Sequence, residues 1–160
     1  MKKKLLVCIM ALATVFAVTG CNKKDNNNGG ETTTTQAEAQ EVKLACEATV
    51  DTDTYKINIT YKEDKVVKAS FTSVEKYGSE SEAKKAYASD AEEIKDVVKN
   101  KGVLGSSSQS GTLVTNNVNF TVADLDDKGR EMYEEIFGTV KDKTLEDAKT
   151  QFTTNGYTCK

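Results

Sequence analysis

The 160-residue chain has no histidine, no proline and no tryptophan. The missing histidine removes the commonest general base and the commonest transition-metal ligand. Ser-His-Asp and Cys-His catalysis are therefore excluded within the chain. A basic face is missing as well. Lys and Arg number 22 against 25 Asp and Glu, for a net charge of −3. The first 20 residues hold three Lys and no acid, so setting them aside takes the net charge from −3 to −6. An acidic body without a basic, aromatic-interleaved patch argues against nucleic acid as a partner. No apolar run is long enough to span a bilayer. The longest, Leu5 to Val18, covers 14 residues and is broken only by Thr14, where a spanning helix needs roughly 20.

That short run follows Lys2, Lys3 and Lys4, the charged start and apolar middle of an export signal. It closes on Val18-Thr19-Gly20-Cys21, which resembles the lipobox of bacterial lipoproteins, with Val18 where Leu is usual. The resemblance implies that residues 1–20 are removed, that Cys21 receives a diacylglyceryl group, and that it becomes an acylated N-terminus. Each buried CH₂ contributes ~0.8 kcal/mol, so two or more acyl chains hold where one does not. The plainer alternative is an ordinary signal peptide cut elsewhere. Residues 22–40, rich in Asn, Gly, Thr and Gln, cannot bury enough to offset their ordering entropy and read as a flexible tether. The expected location is the outer face of the cytoplasmic membrane, with a Gram-positive-type surface favoured.

Of four cysteines, Cys8 lies in the signal and Cys21 is the lipid site, leaving Cys46 and Cys159. Outside the cytoplasm such a pair reads as one disulfide that closes almost the whole domain. In the chain-entropy model a loop of about 100 residues contributes up to ~4.7 kcal/mol. The alternative is a redox pair of free thiols, although no C-x-x-C spacing is present to lower a thiol pKa.

Residues 41–160 read as a single α+β domain. Val42, Leu44, Cys46, Ala48 and Val50 alternate with polar residues, as do Tyr55, Ile57, Ile59 and Tyr61, then Val67, Ala69 and Phe71. These predict three strands in an antiparallel meander. A helix is predicted at about 80–100, its apolar stripe formed by Ala83, Tyr87, Ala91, Ile94 and Val98, with Ala86 and Val97 beside it. Gly105 to Gly111 reads as a flexible loop or weak edge strand. Residues 112–125 read as two strands turning at Asn116-Asn117, because Asn tolerates positive φ. Two short helices follow, the second opened by Thr144 with Asp147 and ended by Gly156. The order β-β-β-α-β-β-α-α predicts one antiparallel sheet of about five strands with helices packed on one face.

The lipobox, polar tether, Cys-bearing strand, "ITYKEDKVVK" strand pair, "SEAKKAYASDAEEIK" helix and closing "NGYTCK" together resemble the YehR-like group of small bacterial lipoproteins. Only the order of these features and the two Cys positions carry the likeness. It implies an α+β domain anchored outside the membrane, without a known enzyme activity.

Four other patterns bear on chemistry. Ser73…Lys76 and Ser81…Lys84 match S-x-x-K, but the companion S-D-N and K-T-G motifs of that catalytic family are missing. Asp124, Asp126, Lys128, Gly129 and Glu135 follow the spacing of an EF-hand loop, with a cation at the fifth position. The plainer reading is a set of acids favouring the next helix N-terminus. The six tyrosines could floor a groove, or simply bury their rings. Asn58-Ile-Thr60 and Asn119-Phe-Thr121 read as outward polar strand positions. The chain is thus expected to be a surface-anchored binding or interaction module for an unknown envelope protein or ligand. The binding surface would be the sheet face away from the helices or a Tyr-bearing edge. The alternatives are an envelope accessory protein without a small-molecule ligand and a weak calcium-binding domain. No enzyme activity, metal or cofactor is expected.

Overall fold

The alternating segments form β1 (Glu41–Val50), β2 (Asp53–Lys62) and β3 (Lys65–Lys76) in the computed structural model, which describes residues 40–160. The signal segment, Cys21 and residues 22–39 of the tether lie outside the described residues. β2 and β3 join through Glu63 and Asp64, at φ 51° and 59°. This is the left-handed pair that a two-residue hairpin demands. Leu44 and Cys46 of β1 and Ile57, Ile59 and Tyr61 of β2 turn to one face and are buried. A bulge near Thr60/Tyr61 shifts the β3 register, so Tyr61 pairs with Val66 while Thr60 pairs with Lys68. The extra residue sends Val66, rather than the expected Val67, into the core beside Ala69 and Phe71.

Helix α1 (Glu80–Val97) starts at Ser79, whose hydroxyl accepts the Glu82 N–H and so satisfies one of the free donors of the first turn. Its sheet-facing stripe is Ala83, Ala86, Asp90, Ile94 and Val97. The expected Tyr87 and Val98 instead stand at its margin, 36% and 37% exposed.

Of the two readings of the Gly/Ser-rich stretch the edge strand holds: it is β4 (Val103–Ser110), paired along its length with β5 (Leu113–Thr121), and what differs is the position of the turn. The turn falls at Gly111, at φ 57°, and Asn116-Asn117 run straight through β5. Both Asn side chains have partners that hold them in a strand: Asn116 Nδ2 donates to Asp90 and Asn117 Nδ2 to Thr72, each at 2.7 Å. Small residues suit β4 because a helix lies on it. A Cβ at Gly105 would come within 3.1 Å of Ile94 and 3.2 Å of Val98.

A 3-10 turn leads to α2 (Asp127–Phe137), a second to α3 (Leu145–Thr154), and β6 (Thr158–Cys159) ends the chain. Thr144 caps α3 by accepting the Asp147 N–H. The strand order is β4-β5-β3-β2-β1-β6, every neighbouring pair antiparallel. The α+β class and the helices on one face agree with the expectation; the short β6 makes six strands rather than five. α1 covers β4 and β5. Over the rest of the sheet Phe120, Tyr133 and Phe137 meet ring to ring at 5.0 to 5.8 Å, with Phe152 also buried. No helix among the described residues is long and apolar enough to cross a membrane.

Candidate functional site

Cys46 and Cys159 are direct cross-strand partners on β1 and β6, with Cα atoms 4.1 Å apart, and they are joined as a disulfide. The chain end is held on both sides of it. Lys160 N–H donates to Ala45 O at 2.8 Å, Tyr157 N–H donates to Phe152 O at 3.0 Å, and the Tyr157 and Phe152 rings meet edge-on. A terminal cysteine thereby pins the last strand to the first, where a free tail would fray.

The face of the sheet opposite the helices is polar. Period-two alternation puts every second residue of each strand there, and the register aligns them in rows. One row is Glu47, Lys56, Thr72, Asn117 and Ser106; the next is Ala45, Asn58, Ser70, Asn119 and Leu104. Lys56 Nζ lies 3.4 Å from Glu47, an exposed pair of small energetic weight. Asn58 Nδ2 donates to Ser70 Oγ at 3.4 Å, and Asn119 Nδ2 donates to Asn117 Oδ1. With Asn117 bonded to Thr72, the centre of this face is a ladder of amides and hydroxyls. It presents donors and acceptors from side chains that their neighbours hold in place. Leu104 stands at its rim, 70% exposed.

The covered face holds a second polar region, under the first half of α1. Ser73, Asn116 and Ser107 are aligned neighbours on β3, β5 and β4. Ser73 and Asn116 are 0% and 6% exposed. Asn116 Nδ2 donates to Asp90, which points from α1 toward the sheet. Ser73 Oγ, Ser107 Oγ and Asn116 Oδ1 are buried without a hydrogen-bond partner among the described residues. At the end of this region the Tyr77 hydroxyl donates to Glu75 at 3.0 Å. Burial, that hydrogen bond, and the charges of Glu75, Asp90 and Asp53 all push the Tyr77 pKa up. Under the other helices, burial, with Asp147 adding to it, pushes Tyr61 up to about 12. Tyr133 is raised as well, first by burial and then by Tyr61 and acids nearby.

The remaining sequence candidates separate. Ser73 and Lys76 lie three residues apart on a strand, which sends them to opposite faces: Ser73 is buried and Lys76 exposed. Ser81 and Lys84 are both exposed on α1. The EF-hand-like spacing does not form a loop, because Asp127–Phe137 is helical and Glu135 sits within it. Asp126 is the N-cap of α2; its carboxylate accepts the Gly129 and Lys101 N–H groups, each at 2.8 Å. Those two backbone bonds, Gly129 first, hold its carboxyl below the ordinary carboxylate pKa. The tyrosines do not share a groove: Tyr61 and Tyr133 are core residues, whereas Tyr87 lies at the outer margin of α1. Asn58, Thr60, Asn119 and Thr121 all belong to the polar open face. Sequence reasoning missed Asp90, Asn116 and Ser107 as a group and met Ser73 only in the S-x-x-K match that it set aside. One signal was available: Asp90 lies seven residues after Ala83, on the stripe that faces the sheet.

The class this architecture defines is a small α+β domain with one antiparallel sheet, helices on one face and, among the described residues, nothing packed on the other. No family model and no curated protein matches the chain. Two solved structures share its fold. One is the NMR structure of a protein from Streptococcus pneumoniae TIGR4, 16% identical, covering 91% of this chain and 100% of that one at a TM-score of 0.59. The other is the NMR structure of the E. coli YehR protein, 20% identical, covering 77% and 93% of the two chains at a TM-score of 0.58. At these identities the likeness shows the fold alone, and the fold is YehR-like.

Proposed function

We propose that this chain is an extracytoplasmic, lipid-anchored binding module, held to the membrane through Cys21 and recognising its partner with the open face of the sheet. The uncovered polar face carries the reading. A sheet closed by helices on one side only leaves the other side to solvent or to a partner. Here the centre of that side is a ladder of Asn, Thr and Ser around Thr72 and Asn117, with Lys43, Lys56 and Lys68 on the flanking positions. Fixed amides and hydroxyls suit a neutral, hydrogen-bonding surface such as a cell-wall glycan. The Cys46–Cys159 disulfide is consistent with an oxidising compartment. The tether, residues 22–40, lets the domain search a volume above the membrane.

The test is thermal unfolding of the oxidised chain with soluble cell-wall fragments. Anything that binds only the native state raises the midpoint by mass action. The expected result is a rise in the wild type that Asn117→Lys, at the centre of the ladder, removes. A midpoint that no fragment moves would overturn the small-ligand reading. It would leave an accessory role to be sought by crosslinking in the envelope.

A further inference from the structure

We propose that the polar region beneath α1 is a binding site for a hard divalent cation, with the Asp90 carboxylate, Asn116 Oδ1 and Ser73 Oγ as its protein ligands. Asn116 is oriented by its Nδ2 bond to Asp90 at 2.7 Å. That bond leaves Oδ1, an acceptor only, without a partner among the described residues, next to the equally unpartnered Ser73 hydroxyl on the neighbouring strand. Leaving such groups buried and unpaired is costly. What would satisfy them together with the second Asp90 oxygen is a ligand that offers positive charge and accepts oxygen donors. A water molecule could fill the hydrogen bonds. It would not engage the negative charge of the Asp90 carboxylate, to which the Asn116 amide is bonded in the same region. Carboxylate, amide carbonyl and hydroxyl oxygens are the donor set of calcium rather than of a transition metal. Asp90 is only half-buried, which gives the ion a way in. The site shares no residue with the acidic string at 124–135, and the proposal is independent of the lipid anchor and of the open face.

The experiment is thermal unfolding of the oxidised full-length chain in detergent micelles, titrated with CaCl₂ at constant ionic strength. Side-chain amide resonances are followed by NMR in parallel. One carboxylate ligand places the affinity at the weak, extracellular end, so the midpoint should rise with half-saturation near about 0.1–1 mM. Asp90→Asn and Ser73→Ala should lose that rise, and Glu135→Gln should keep it. In the wild type the Asn116 side-chain amide should shift along the same curve, which tests the site even if a variant fails to fold. A midpoint and an Asn116 resonance unmoved at about 10 mM calcium, or shifts confined to residues 124–135, would overturn the proposal.

Discussion

Two halves of one sheet face are covered by helices in different ways. Over β1 to β3 and the C-terminal end of β5 the cover is aromatic: Tyr133 and Phe137 of α2 close on Phe120 of β5, with Phe152 of α3 also buried. Over the N-terminal half of α1 it is small and polar: Ala83 and Ala86 rest on Val114, and the next contact along the helix is Asp90 with Asn116. The first half gains its stability from buried area, at roughly 25 cal/mol per Å². The second gains less apolar burial, and its unpartnered polar atoms are those of Ser73, Ser107 and Asn116, where the first has only the hydroxyls of Tyr61 and Tyr133 at the edges of buried rings. A fold that concentrates its packing at one end can leave the other end free to adjust.

The largest expected break in this comparison is Phe137→Ala. It opens a cavity beside the Phe120 and Tyr133 rings and should cost about 3–5 kcal/mol, read by denaturant unfolding of the oxidised chain. Asn116→Ala in the polar half should cost less, about 1–3 kcal/mol, because it removes one hydrogen bond to a half-buried carboxylate and little apolar area. If the two variants cost the same, the two halves are not packed differently. The smallest effect is one of pH. Tyr61, Tyr77 and Tyr133 all have raised pKa values in the folded state, Tyr61 to about 12 against an ordinary 10.0. The folded chain holds these protons longer than the unfolded one. Their contribution is complete below pH 10 and falls away as pH climbs toward 12. Stability followed from pH 9 to 12 should therefore drop above 10, with the tyrosinate absorbance of these three residues appearing together with unfolding rather than before it.

The meander was legible because period-two alternation in residues 42–61 has no competing signal. Helix starts were legible because Ser79 and Thr144 are side-chain caps read locally. The second hairpin was misread because two turn signals competed. Asn116-Asn117 can adopt positive φ, but Gly111 does so without steric cost, and the partners that straighten the Asn pair, Asp90 and Thr72, are distant in sequence. The stripe of α1 was set slightly wrong for a related reason. Tyr87 and Val98 are the more apolar choices, yet Ala86 and Asp90 face the sheet, where Ala86 packs with Val114 and Asp90 meets Asn116. The polar region under α1 was hidden in consequence. It exists only once a helix position and the register of three strands are both known.

Native-state hydrogen exchange on the oxidised chain tests the contrast between the two halves most directly. Amides of β1 to β3 and α2 should exchange only through global unfolding. Amides of α1 and β4 should exchange through a smaller opening that leaves the aromatic half intact. Equal protection of α1 and β2 would contradict this account. It would mean that the polar half is as firmly closed as the aromatic one.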